Sequence, residues 1–408
     1  MIKFLVCINF LLLRLASYSA LMMYIVIAKN IIQDYHTGNN IVELSLIYFI
    51  LGNVSIIILT SPISDYIGRR LILFFYIGIT IIGALLVGYI DSLALFYLGR
   101  FLEGLGTGNM LSISNVILND AFATQEGKNT LATSKILSIL SLVSGWFPPL
   151  GLIVFSLLSE VYQWQTLFYF LAGFFMVMAL FLLPVILLIK PHTVPKQHLT
   201  FKRIIHTYWK IVTHFKTMCY ALVFTTLKSA YIITFLLLTY ILINMGYNNF
   251  QASILLLPPA GTYIIGKLLN SFFATQFKAR ISLLIATSIA FAPMLILFVL
   301  EFYIQDTAII IAFTSLMALG VGICSPLSNT RVMAFFPNET NMANSILAIL
   351  SGIVLVIFSV IADSINAIHP FQFIILMLAL TGIAFVVSLI HWKSITHQNP
   401  DHWGSQGV

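Results

Sequence analysis

The sequence predicts an all-α polytopic membrane protein: twelve transmembrane helices in two six-helix bundles. Three observations carry that prediction. Hydrophobic residues fill 60% of the 408 positions and charged residues only 8%, against about 25% charged in soluble chains. The apolar residues fall into runs of about 20, the length that spans a hydrocarbon core of roughly 30 Å. One long polar stretch divides those runs six and six. The mean hydropathy of +1.01 belongs with the same reading.

The expected spans are 4–28, 42–61, 71–90, 93–116, 134–157, 165–189, 217–243, 251–275, 281–303, 307–330, 343–365 and 370–392. Barrel strands would instead alternate over segments of about ten residues. The first run follows Lys3 as a signal peptide would. It is too long for one and no small-residue cleavage site follows it, so a retained helix is expected. Cys7, Cys219 and Cys324 all fall inside spans, the placement of buried thiols and not of a disulfide framework or metal cluster. No metal site and no cofactor is expected.

The net charge of +7 suggests nucleic acid until its distribution is drawn. With the N-terminus cytoplasmic, fourteen lysines and arginines from Lys3 to Lys393 fall on the cytoplasmic side. The opposite side has only Lys29, yet collects Asp34, Glu43, Asp91, Glu160, Glu301, Asp306 and Asp363. This positive-inside bias places both termini in the cytoplasm, requires an even number of spans, and leaves no nucleic-acid partner to explain. The expected location is the cell inner membrane.

The polar stretch 190–216 separates an N-terminal bundle, 1–189, from a C-terminal bundle, 217–392, with a cytoplasmic tail over 393–408. Phe201, Ile204, Ile205, Tyr208, Val212 and Phe215 form one helical stripe in it, with Lys202, Arg203, Lys210 and His214 largely elsewhere. That is a basic amphipathic helix of the membrane interface. Its four histidines, His192, His198, His206 and His214, read as a solvated basic linker and not as metal ligands. Gly266–Arg280, after the eighth span, is basic like the loop after the second, a loose internal repeat.

SPISDYIGRR, 61–70, is that second-span loop. A tight reversal suits Gly68, which lacks a Cβ. Topology accounts for Arg69 and Arg70 but not for Asp65. The segment resembles the loop motif of the Bcr/CflA branch of the major facilitator superfamily, the twelve-span drug:proton antiporters, roughly G-P-L-S-D-R-x-G-R-R. Further likenesses run along the chain. G-R-F-L-E-G-L-G-T-G, 99–108, is similar to that branch's R-x-x-Q-G motif, with Arg100 at the arginine. Asn119-Asp120 stands where Arg-Asp is frequent. Pro148-Pro149-Leu150-Gly151 resembles the antiporter motif P-x-x-G, Trp164 and Phe168 echo a Trp and Phe opening the sixth span, and Gly320 to Pro326 matches in the tenth.

The resemblance implies proton-coupled efflux of a drug or small metabolite by a monomer, with substrate held near the midplane between the bundles. It makes Asp65, Gly68, Arg69 and Arg70 a conformational latch. Three departures qualify it: Ser61 replaces the motif's first glycine, Ile56-Ile57 its G-Q pair, and Met22 in Leu21-Met22-Met23-Tyr24 a membrane acid. These leave open an anionic metabolite, such as a carboxylate or siderophore, moved either way.

Arg14, Arg100, Glu103 and Lys228 lie inside spans. A charge at a helix centre costs on the order of 3 kcal/mol, so all four facing lipid would cost roughly 10 kcal/mol. They are expected to face a cavity or one another. The resemblance places the first, fourth and seventh spans on the central cavity, which with these residues would be net positive. Arg100 and Glu103 are i, i+3 and share a face. They form either an internal ion pair or the proton-coupling site, with Glu103 the exchanging carboxylate. Tyr24 and Tyr231 are aromatic candidates for the substrate cavity, with Phe235, Tyr240 and Tyr263. The rivals to a transporter are a polytopic membrane enzyme, for which no H-E-x-x-H, G-x-S-x-G or clustered Asp/His pair is present, and a non-transporting sensor or channel.

Overall fold

The computed structural model describes residues 2–35, 40–57, 60, 68–89, 92–122, 140, 143, 145–188, 201–303, 306–336 and 339–396. Among them are fourteen helices and no strand. In chain order they are α1 (Ile2–Asp34), α2 (Asn40–Ser55), α3 (Arg69–Tyr89), α4 (Leu93–Phe122), α5 (Phe147–Val161), α6 (Trp164–Leu188) and α7 (Phe201–Thr213). There follow α8 (Phe215–Asn244), α9 (Asn249–Leu255), α10 (Leu257–Gln276), α11 (Ala279–Leu300), α12 (Thr307–Phe335), α13 (Thr340–Ser364) and α14 (Pro370–Thr396).

Among the described residues nine helical segments are long and apolar enough to cross a membrane, and Leu44–Ser55 and Phe147–Val161 are shorter apolar helices. Much of the expected fifth span, 134–157, lies outside the described residues; the helix seen there is α5. The eighth expected span is long and apolar enough to cross a membrane as Asn249–Asn270, though its helix is interrupted at Leu256. The interruption falls between α9 and α10, just before Pro258 and Pro259, which lack the backbone donors that would bond back to Ile254 and Leu255; Leu256 itself keeps right-handed helical angles. Asn248 starts α9 with a capping box, accepting from Gln251 N–H while the Gln251 side chain accepts from Asn248 N–H.

The chain divides into two compact units, one of residues 1–204 and 242–257, the other of 205–241 and 258–408. Residues 242–257 thus group with the first unit, although they lie beyond the linker that divides the sequence. The packing explains it: α9 lies on α5, and Ser253 Oγ donates to Leu152 O at 3.4 Å.

In the first unit α4 is the central element, with α2 and α3 packed along it and α1 beside it. Close approach of backbones makes this possible. A Cβ on Gly104 would collide with the Phe49 carbonyl of α2, and one on Gly106 with Thr80 and the Tyr76 carbonyl of α3. The second unit repeats the device. A Cβ on Gly322 of α12 would collide with the Tyr263 carbonyl of α10, and one on Gly320 would meet Ala290 N of α11 at 2.5 Å. Small residues draw helices together where lipid supplies no hydrophobic drive. Polar side chains add to them: Tyr169 Oη donates to Gly88 O at 2.8 Å, Thr262 Oγ1 to Ser315 O at 2.7 Å, and Thr287 Oγ1 lies 2.8 Å from Ser388 Oγ. Outward, Leu71, Phe75 and Ile82 of α3, Val154 and Val161 of α5 and Leu180 and Phe181 of α6 are exposed. Such a surface suits hydrocarbon and not water.

Candidate functional site

α4 presents Arg100 and Glu103 to the interior of the first unit, one turn apart on one face, and both side chains are 0% exposed. Arg100 Nη1 donates to Glu103 Oε2 at 2.5 Å. Arg100 Nε donates to Ser45 Oγ of α2 at 3.2 Å, and Ser45 also hydrogen-bonds the Tyr24 hydroxyl of α1. The guanidinium lies 4.2 Å from the Tyr24 ring centroid and 4.6 Å from that of Phe49. The faces of the two rings attract the guanidinium where water is absent. Glu103 Oε1 and Arg100 Nη2 are buried with no hydrogen-bond partner among the described residues. The pair is thus tied on one side and unsatisfied on the other.

Arg14 is on α1, ten residues before Tyr24 and so about 15 Å away along the helix. Its guanidinium lies 4.5 Å from the Phe10 ring centroid. Met22, in place of the expected acid, is buried, and its Cβ is 3.5 Å from where a Cβ on Gly151 would stand. Gly151, which the resemblance assigns to the antiporter motif, therefore packs on the residue that departs from the pattern. Pro148 and Pro149 open α5 at its first turn, where a missing N–H costs nothing.

Of the loop motif, residues 61–67, including Asp65, lie outside the described residues, as does the Arg69 side chain; Arg70 is half-buried. Gly68 has φ +108°, a left-handed conformation that suits glycine. No heavy atom lies within 4 Å of a Cβ built there, so conformation and not crowding selects the glycine. Just before the loop, Thr60 Oγ1 donates to Asn109 Oδ1 of α4 at 2.6 Å and is 2.8 Å from Tyr76 Oη of α3, a fully buried junction. Sequence reasoning had no sign of it.

In the second unit Lys228 of α8 is half-buried, its ammonium 5.5 Å from the Phe224 ring centroid. Tyr231 stacks on Tyr263 of α10 at 4.2 Å and 23°, and meets Phe235 edge-on at 4.9 Å. Lys267 of α10 lies one turn beyond Tyr263 with its ammonium 4.5 Å from that ring's centroid. The signal for it was the i, i+4 spacing of Tyr263 and Lys267.

A family model described as Major Facilitator Superfamily matches residues 10–359. Among similar proteins, the Multidrug resistance protein MdtL of Klebsiella pneumoniae subsp. pneumoniae is 27% identical over 173 residues, 42% of this chain and 42% of that one. The chain thus aligns with less than half the length of that relative. MdtL of Escherichia coli O45:K1 is 25% identical over 293 residues, 71% of each chain. MdtL of Citrobacter koseri is 22% identical over 406 residues, 98% of this chain and 100% of that one.

Proposed function

This chain belongs to the Major Facilitator Superfamily and is a multi-pass membrane protein, and from that premise we propose that it is a secondary active transporter, not an enzyme. It exports a drug or other small organic solute across the inner membrane in exchange for protons. It does so as a monomer of twelve spans, with both termini cytoplasmic and two six-helix bundles that open in turn to either side. The family match over residues 10–359 carries this reading, and the similarity to multidrug resistance proteins, which reaches 98% of the chain in one case, supports the cargo class.

Glu103 is the proton-exchanging carboxylate, and Arg100 is its partner. Protonation of Glu103 removes the charge that Arg100 neutralises and leaves the arginine on Ser45, Tyr24 and Phe49. A buried cation stripped of its carboxylate is costly, and breaking such a pair is worth about 3–5 kcal/mol. That energy favours a rearrangement of α1, α2 and α4, which all touch the arginine. Asp65, Gly68, Arg69 and Arg70 form the cytoplasmic latch that couples the rearrangement to closure.

The experiment is solute uptake into inside-out vesicles, across cationic, neutral and anionic compounds, with and without an imposed proton gradient. Gradient-dependent accumulation of at least one compound is expected, and Glu103→Gln abolishes its gradient dependence. Full gradient-driven uptake by that variant would remove Glu103 from the coupling step. Equilibration without accumulation for every solute would favour a channel or sensor.

A further inference from the structure

The two units place polar groups on corresponding spans but balance them differently. In the first, Arg100 is gathered by α1, α2 and α4 and neutralised by Glu103. In the second, α8, α10 and α12 gather two cations. The Tyr263 hydroxyl hydrogen-bonds Lys267 and Ser325 of α12, and it lies within electrostatic reach of Lys228 as well as Lys267. Lys228 and Lys267 in turn feel one another's charge. Among the described residues no carboxylate is paired with Lys228 or Tyr263. None stands near in sequence either: the chain has no Asp or Glu from Val161 to Leu300. Two lysines within membrane-spanning helices, sharing one phenol and with no acid beside them among the described residues, suit an anion from outside the chain.

We propose that Lys228 and Lys267, with the Tyr263 hydroxyl and the Tyr231–Tyr263 stack, form a binding site for the carboxylate or phosphate group of a small aromatic anion. The lysines supply charge and the Tyr263 hydroxyl a further donor for an oxyanion. The Tyr231 and Phe235 rings give an apolar, planar wall beside it. Ser325 holds the phenol in place from α12. The inference deepens the transporter reading by naming a cargo class, and rests on it for the role of the anion as cargo; binding itself does not depend on transport.

The test is calorimetric titration of the detergent-solubilised full chain at neutral pH with benzoate, phenyl phosphate, benzamide and benzylamine. Benzoate and phenyl phosphate are expected to bind, benzamide and benzylamine not. Lys228→Gln and Lys267→Gln should each weaken benzoate by about tenfold or more, as loss of one close charge partner implies. Lys228→Arg, which keeps the charge, should retain most of the affinity, and an unchanged elution volume for each variant shows that it is folded. Repeating the titration in micelles doped with phosphatidylglycerol separates the two sources of an oxyanion. A site for soluble cargo keeps its benzoate affinity, whereas loss of benzoate to the lipid would overturn the cargo assignment. Benzylamine binding as well as benzoate, glutamine variants matching the unsubstituted protein, or no binding of either anion would overturn the site itself. Gradient-driven uptake of a cation in vesicles would meanwhile leave the transporter reading standing.

Discussion

Trp164 donates its indole N–H to Asp34 Oδ2 at 2.5 Å, joining the first turn of α6 to the last turn of α1 across 130 residues of sequence. Tyr35 and Phe96 pack against the same indole, at 6.2 Å each between centroids. The bond therefore closes an aromatic cluster that joins α1, α4 and α6 at one end of the first unit. Trp164→Phe keeps the packing and deletes the bond. It should lower stability by about 1.5–3 kcal/mol, the range for hydrogen bonds to a charged group, read as a lower thermal midpoint in detergent. An unchanged midpoint would make the contact incidental.

Arg100 and Glu103 should behave as one unit. Arg100→Met or Glu103→Met alone leaves an unpaired buried charge and should cost about 3–5 kcal/mol. The double substitution should recover most of that loss, because apolar replacements of a buried pair are near neutral. Thermal unfolding of the four forms completes a double-mutant cycle. Additive losses would show that the two groups do not act on each other.

Two glycines should respond oppositely to alanine. Gly104→Ala drives a methyl into the Phe49 carbonyl and should cost roughly 1–3 kcal/mol as an overpacked contact. Gly151→Ala meets Met22 at 3.5 Å, an ordinary contact, and should be neutral or stabilising by about 0.5–1 kcal/mol, the helix preference of alanine over glycine. Equal effects at the two positions would contradict the packing described.

His214 caps α8 as a neutral ring: Thr217 N–H donates to its Nδ1 at 3.3 Å, and Thr217 Oγ1 is 2.7 Å from the same atom. Burial, with the neighbouring Lys216 charge second, holds the histidine below its ordinary 6.5. The unfolded chain then binds this proton more readily than the folded one, so stability must fall as pH drops below 6.5 towards the folded value. His214→Asn keeps a capping acceptor without a titrating ring. It should flatten the pH dependence of the thermal midpoint in that window, whereas an unaltered profile would assign the dependence to other groups.

The all-helical, membrane-spanning class was legible because the length of an apolar run is a local property of the chain. Arg100 and Glu103 were legible as a pair for the same reason, standing one turn apart. The break at Leu256 was written in Pro258-Pro259, yet an apolar run of the right length hid it. Tyr24, Ser45 and Phe49 around Arg100, the Thr60–Asn109–Tyr76 junction and the Asp34–Trp164 bond join helices far apart in sequence. Nothing in one helix specifies which face of another it will meet. The neighbourhood of Lys267 was not legible, because only packing brings Tyr231 of α8 onto Tyr263 of α10.

The paired glycines of α4 and α12 also limit how this protein can change shape. Where main chain lies on main chain, no side chain exists that could swing to another rotamer and let the helices slide. Each seam is therefore stiff against small adjustments, and α4 must carry α2 and α3 along with it, as α12 carries α10 and α11. Compliance has to reside where such seams are absent, and the interrupted helix at Leu256 is one natural place for it.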